Sequence, residues 1–381
     1  MLGRAVPLHG TPQHSIIFKM SPRKTGTAEL PLHGGRAPRW LFSRMAHLAG
    51  LIAEAIVIEF GPEELLRRLC DPFFFQSLGN ILGFDWHSSG LTTTTTGALK
   101  EGIRGKEREL GFFVAGGKGK ASRKTPEELV RIAEITGLDA SPLVRASRLT
   151  AKVDTSALQD GYQIYHHAFL VTKSGLWGVV QQGMNERRKT ARRYHWVGEG
   201  LKSFVEEPHS GIVAERREHL VLDLTRRKAA ENRNLVVELS RSDPERTAKE
   251  IEKLKELKLP RRHALLLSDI NPKYLGKILL KTYEKAPADF EKLLEIRGVG
   301  PKTIRALSLL SDLIYGKSPS FEDPALYSFA HGGKDGHPFP VQKRIYDRSI
   351  EVIERAIKLS KLGRTEKLKA LRKLSEIFQT P

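Results

Sequence analysis

The sequence is short of cysteine, of acidic residues relative to basic ones, and of uninterrupted apolar runs. Among 381 residues Cys70 is the only cysteine. An intramolecular disulfide and a multi-cysteine zinc site are therefore excluded, and a reducing compartment, the cytoplasm, is the expected location. No Gly-x4-Gly-Lys-Ser/Thr loop is present, because Gly116-Gly-Lys-Gly-Lys120 lacks the spacing. No Gly-x-Gly-x-x-Gly follows a strand-like segment, so ATP-driven and dinucleotide-dependent chemistry are disfavoured. Met1 to Pro7 carry no apolar signal core. The most apolar stretch, Leu48 to Phe60, is broken by Glu54 and Glu59, so neither a membrane-crossing helix nor a membrane partner is expected. No repeat of about 20–50 residues marks a solenoid.

Base is what the sequence has in excess. Sixty-three Lys and Arg stand against 44 Asp and Glu, a formal net charge of +19. Such an excess favours a polyanionic partner, because cationic side chains release condensed counterions when they neutralise phosphates. The bases are spread over several clusters: Lys118, Lys120, Arg123 and Lys124; Arg187 to Lys189 with Arg192 and Arg193; Arg226 to Lys228; Arg261 and Arg262; and Lys358 to Lys373. DNA is the expected partner, with RNA as the alternative.

Forty per cent apolar residues suffice for a core, and the pattern predicts an α+β fold in three regions. The mixed first region covers 1–150. Arg39 to Phe60 is near helical period, and Pro62 to Cys70 reads as a short helix opened by proline. Leu91 to Thr96, with its five threonines, reads as a strand or a hydroxyl-rich loop, and Val114 to Ala121 as a flexible basic loop. Thr125, Pro126 and Glu128 form a capping-box helix start, and Gly137 a stop. The second region, 151–211, is the best β candidate. Tyr162 to Thr172 and Leu176 to Gln182 flank a Gly-containing turn as a hairpin in a small antiparallel sheet, which Arg192 to Trp196 continues. The third region, 212–381, reads as helical. Its segments are Val213 to Arg241, a restart at Pro244, Lys273–Lys285, Asp289–Ile296, Lys302–Tyr315, Val341–Ser360 and Thr365–Phe378.

The sharpest local signal runs from Phe290 to Leu307. A short helix leads into Gly298, Val299 and Gly300, and Pro301 opens the next helix at its first position. This string, near 289–315, resembles the helix-hairpin-helix of DNA repair and recombination proteins. Two glycines let backbone approach a phosphate, and N–H groups at the second helix's start point at the anion. Lys302 and Thr303 would add a cationic and a hydroxyl contact. The plain alternative is a packed corner. In bifunctional DNA glycosylases with this hairpin, a lysine matching Lys302 attacks the sugar and a downstream aspartate assists. Asp335 and Asp323 are the candidates for that aspartate, although the residues usual between hairpin and aspartate are not reproduced.

Other constellations offer different chemistry. Asp85 and His87 lie on one side of an extended chain, suited to general-base work or to a metal, with a polar turn as the alternative. Asp154 and Asp160 precede a hairpin bearing His166, His167, Gln181, Gln182 and Asn185. Such a sheet suggests the carboxylate core of an Mg2+- or Mn2+-dependent nuclease, but Gln181 and Gln182 stand where Glu and Lys belong. These amides would instead contact base edges, and Tyr194, His195 and Trp196 beside Arg192 and Arg193 would stack on unpaired bases or form sheet core. Three functions follow: a metal-dependent nuclease, a glycosylase/lyase using Lys302, and a non-catalytic DNA or RNA binder.

Several strings together resemble one prokaryotic family labelled as a domain of unknown function, DUF763. They are Thr25 to Gly35, Gly83 to Gly90, Val179 to Asn185, Ala191 to Trp196 and His331 to His337. The resemblance implies a prokaryotic, cytosolic protein acting as one full-length unit. It transfers no activity.

Overall fold

The computed structural model describes residues 39–83, 89–214, 217–256 and 270–325, and three further helical positions, 351, 355 and 358. The elements run α1 (Arg39–Phe60), α2 (Pro62–Cys70), α3 (Pro72–Leu82), α4 (Ser89–Gly102), α5 (Glu107–Leu110), β1 (Phe112–Lys118), α6 (Lys120–Arg123), α7 (Thr125–Thr136) and α8 (Ala140–Lys152). A π-helical turn, Val153–Ala157, leads to β2 (Leu158–Gln159), β3 (Gln163–Thr172), β4 (Trp177–Asn185), β5 (Thr190–Val197), β6 (Gly211–Ala214) and β7 (Leu222–Asp223). A 3-10 turn, Arg227–Ala229, precedes α9 (Ala230–Arg241) and α10 (Pro244–Glu256). The numbering continues with α11 (Pro272–Lys285), α12 (Phe290–Glu295) and α13 (Pro301–Leu313).

The fold is mixed α and β. Its centre is a five-stranded antiparallel sheet in the order β1-β3-β4-β5-β6. The expected hairpin is β3–β4, and Arg192 to Trp196 lie in β5. Helices cover both faces, so the strands are buried on both sides and lose the one-face alternation of a half-exposed sheet. One face carries Phe112, Val114, Leu170 and Val180 in a core shared with α1–α4. The other carries Phe169, Val179, Tyr194 and Trp196 in a core shared with α7, α8 and the C-terminal helices. Successive strand residues therefore enter different cores.

Three sequence expectations are corrected. The threonine run is the first half of α4 rather than a strand or loop. Its hydroxyls are met inside the helix and across to the sheet: Thr96 Oγ1 donates to Thr92 O (2.9 Å), Thr93 Oγ1 to Gly90 O (3.2 Å), and Thr92 Oγ1 to Gln182 Oε1. Back-bonding of this kind removes threonine's main objection to a helix, and Leu91, Ala98 and Leu99 supply its buried side. The supposed basic loop is strand as far as Lys118, because its register opposite β3 buries Val114 and Ala115. The long helix expected over Val213 to Arg241 is confined to α9. Val213 sits in β6, paired opposite Arg193.

α1 is the one helix among the described residues that is, by length and composition alone, long and apolar enough to cross a membrane, Glu54 and Glu59 included. Half of that apolar window is buried in the fold, and the helix packs on α4 through glycine. A Cβ on Gly50 would meet the Gly102 carbonyl, and one on Gly102 the Ala46 oxygen and Gly50 backbone, well inside van der Waals contact. Gly102→Ala is expected to destabilise the protein by about 2–3 kcal/mol in urea unfolding, since backbone cannot swing aside. Gly276→Ala, inside α11 with open space around it, is expected to raise stability by about 0.5–1 kcal/mol.

Candidate nucleic-acid interface

α12 and α13 meet at the glycine turn. Asp289 caps α12, its carboxylate accepting the Lys292 N–H at 2.8 Å. Phe290, Leu293 and Leu294 anchor that helix in the core. Ile296 leaves the helix in extended conformation, and Val299 N–H closes the turn on Ile296 O at 3.1 Å. Gly298 has φ +104, and a Cβ there would also strike Ile278. Glycine is required on both counts. Val299 is buried and pins the turn. Gly300 is the extended N-cap of α13; it offers no capping side chain, and its carbonyl accepts the first helical bond, from Ile304 N–H at 3.1 Å. Pro301 has no N–H to leave unmet. The remaining N–H groups of the first turn have no intrahelical acceptor and carry the positive end of the helix dipole.

Basic side chains surround this first turn. Arg297 and Lys302 are exposed, while Gly298, Gly300 and Arg305 are half-buried. Lys281 Nζ donates to Arg297 O at 2.5 Å, and Lys152 Nζ donates to Val299 O. Burial pulls the Lys152 ammonium below its ordinary pKa. Gln159 Nε2 donates to Pro301 O at 2.9 Å, and Gln159 Oε1 accepts from Arg305 Nε at 2.7 Å. Both turn carbonyls are thus drawn toward lysines. Thr303 is corrected: it is 2% exposed, so its hydroxyl is no phosphate ligand.

A second basic surface adjoins the first. Gln159 stands just before β3, and a Cβ on Gly161 would lie 3.3 Å from the Asn185 amide nitrogen. Asn185 Oδ1 accepts the Arg188 N–H at 3.1 Å, opening the exposed β4–β5 turn of Glu186, Arg187, Arg188 and Lys189. Arg188 pairs with Glu218. The end of β1 lies at the same end of the sheet, through the register Lys118–His166–Gln182–Arg193. There Lys118, Lys120, Arg123 and Lys124 are exposed, and Lys118 Nζ sits 5.8 Å from the Tyr165 ring centroid.

Arg192 and Arg193, expected on that surface, are both fully buried. The cause is strand alternation beneath two helical layers. Arg192 joins Asp160 (2.8 Å) and Asp323 (2.6 Å) in a buried network. Asp160 also accepts from Tyr194 Oη at 2.7 Å. Burial pushes the Asp160 carboxyl up to about 6, against the pull of Arg192 and Tyr194. Asp323 is therefore the partner of Arg192 rather than an assistant to Lys302. Tyr194, His195 and Trp196 are sheet core and cannot stack on bases.

The metal expectation is corrected as well. Asp154, on the π-helical turn, accepts Trp196 Nε1–H at 2.9 Å and Gln181 Nε2–H, and bonds His209 Nε2 at 2.5 Å. Asp160 is committed to Arg192 and Tyr194. Among the described residues no group of three or more His, Cys, Asp or Glu side chains is placed to hold a metal. Gln181 and Gln182 are fully buried, so neither reads base edges. Gln181 links Asp154 to His167, and Gln182 links Thr92 to Tyr165 and Ser89. Asp85, His87 and Asp335 lie outside the described residues.

The sequence reading missed Arg297, Lys281, Arg305 and Gln159. Arg297 was visible as the residue entering the glycine turn. The others come from helix α11, later in α13, and the strand before β3, and only packing brings them to the turn.

A family model described as a protein of unknown function, DUF763, matches residues 26–341. No curated protein and no solved structure matches the chain.

Proposed function

The chain belongs to the DUF763 family, and we propose that it is a DNA-binding protein with a repair or processing role, docking duplex phosphates on the glycine turn in the manner of a helix-hairpin-helix. One observation carries this reading. The N-cap of α13 is a glycine with no capping side chain, and the first turn sits between exposed Arg297 and Lys302. A backbone phosphate fits such a group of N–H donors and cations, and the contact positions a duplex without reading its sequence. The basic surfaces at Lys118–Lys124 and Arg187–Lys189 extend the footprint. A cytoplasmic location without membrane attachment is part of the proposal. The free, buried thiol of Cys70 supports it, as does the packing of α1 against α4.

The reading treats the protein as a binder first. The aspartates that a metal nuclease or a Lys302 lyase would borrow from the described residues are occupied by Arg192, Gln181, Trp196 and His209. Fluorescence anisotropy with a duplex of about 20 base pairs tests it. Binding should weaken steeply between about 50 and 200 mM salt, as counterion release requires. A flat salt response, or preference for structured RNA in a matched-salt competition, would contradict duplex docking.

A further inference from the structure

Two neighbouring arginines are treated oppositely by the fold. Arg192 faces two carboxylates. Arg193, on the other face of β5, has no exposed surface and, among the described residues, no carboxylate partner. Its Nε donates to His195 Nε2 at 2.8 Å, Nη1 to Thr92 Oγ1 at 3.3 Å, and Nη2 to Gln76 Oε1 at 2.9 Å. Its guanidinium carbon lies 4.8 Å from the Phe75 ring centroid. Every one of these partners is neutral. A guanidinium has five N–H groups and three are used, so five minus three leaves two, one on each terminal nitrogen. Burial pulls Arg193 down to about 9, which still leaves it charged at neutral pH. An isolated buried cation is costly, and folds do not ordinarily keep one unmatched.

The surrounding layer is polar in the same unmatched way. On α3 and α4, Ser77 Oγ, both amide atoms of Asn80 and Thr95 Oγ1 are buried without a hydrogen-bond partner. On the sheet beneath, His166 Nδ1 is likewise unpartnered, while its Nε2 meets Thr96 Oγ1 at 3.0 Å. Burial lowers the His166 pKa to about 3, so its imidazole is neutral. Gln182 ties the layer together, donating to Ser89 O at 2.9 Å and to Tyr165 Oη at 2.5 Å. Among the described residues the set holds one cation, hydroxyls, amides and imidazoles, and no carboxylate. Its chemistry suits an acceptor-rich anion, and two parallel guanidinium N–H groups match two oxygens of one oxyanion.

We propose that the layer between α3–α4 and the sheet binds a phosphate-class oxyanion, with Arg193 as its fixed counter-cation and Gln76, Asn80, Thr95 and His166 as neutral ligands. The site is separate from the glycine turn. The same chemistry is offered by free phosphate and by the terminal phosphate of an oligonucleotide.

Thermal unfolding of the full chain with inorganic phosphate tests the proposal. The background is the hairpin double variant Arg297→Glu/Lys302→Glu, so that phosphate binding at the glycine turn does not contribute. Phosphate at about 100 times its dissociation constant should raise the midpoint by about 3 °C. Arg193→Met on that background should fold and show no phosphate response. If that variant fails to fold, Gln76→Glu replaces it by placing a carboxylate beside Arg193. It should raise the midpoint without phosphate and cancel the phosphate effect. A 5′-phosphorylated oligonucleotide that stabilises more than its unphosphorylated twin supports the site with a nucleic-acid end as ligand; equal effects, with phosphate active, support it with the free ion. No phosphate shift in the hairpin variant, or an undiminished shift in Arg193→Met or Gln76→Glu, overturns it. Loss of duplex binding by the hairpin variant concerns the glycine turn alone, so the two readings fail separately.

Discussion

Arg192→Met is expected to cost about 3–5 kcal/mol, the range for breaking a buried ion pair by removing one partner. Arg192 is fully buried and neutralises Asp160 and Asp323, which are themselves buried. Without it, two carboxylates confront each other in the core. Asp323 also holds the loop before β7 by accepting the Glu218 N–H, and accepts the Ala325 N–H at 2.9 Å. The variant should therefore loosen the attachment of residues 217–223 and 320–325 as well as lose stability. Urea unfolding at pH 7 measures the first effect and hydrogen exchange the second. The triple variant Arg192→Met/Asp160→Asn/Asp323→Asn should recover most of the loss, because the residual charges are gone. A single variant within about 1 kcal/mol of wild type would show that the network contributes little.

The same network sets a pH dependence. The Asp160 carboxyl titrates near 6 in the fold, against about 3.9 in an unfolded chain. Between those values the folded state keeps a proton that the unfolded state has released. Stability from this group therefore falls as pH rises through that window, and levels off above it. Removing Arg192 takes away the cation that opposes this shift, so the window extends upward. Arg192→Met should be clearly more stable at pH 5 than at pH 8, by a wider margin than wild type in the same buffers.

Reversing both exposed cations at the glycine turn, Arg297→Glu with Lys302→Glu, is expected to weaken duplex binding about a hundredfold near 0.1 M salt. Each lost phosphate contact lowers the slope of log affinity against log salt by about 0.9, so the pair should lower it by about 1.8. A control reversal changes the net charge equally at the opposite end of the sheet. Arg104 follows α4, Lys173 lies in the β3–β4 turn, and both are exposed. Arg104→Glu/Lys173→Glu should reduce affinity only a few-fold, through the long-range field. Equal losses in the two double variants would make binding a matter of total charge and remove the turn from the interface. Circular dichroism should show both variants folded, since none of the four side chains is buried.

Some of this was legible along the chain. The excess of base, the β3–β4 hairpin and the Gly298–Pro301 turn are local properties. Each rests on residue type, period two or short spacing, and each appears where the sequence puts it. The threonine run of α4 was not legible in the same way. Strand-forming side chains entered a helix because α1 offered a glycine crossing and the sheet offered Gln182.

The two arginines mark the boundary most clearly. Adjacent residues in a strand point to opposite faces, and that much follows from sequence. What covers each face does not. Asp323 reaches Arg192 from 131 residues away, while α3 and α4 bring Gln76 and Thr92, both neutral, to Arg193. Charge is additive and so can be summed from composition. Burial and pairing depend on which distant segments pack together, so only the tertiary structure decided which arginine is neutralised from within and which is left with two donors to spare.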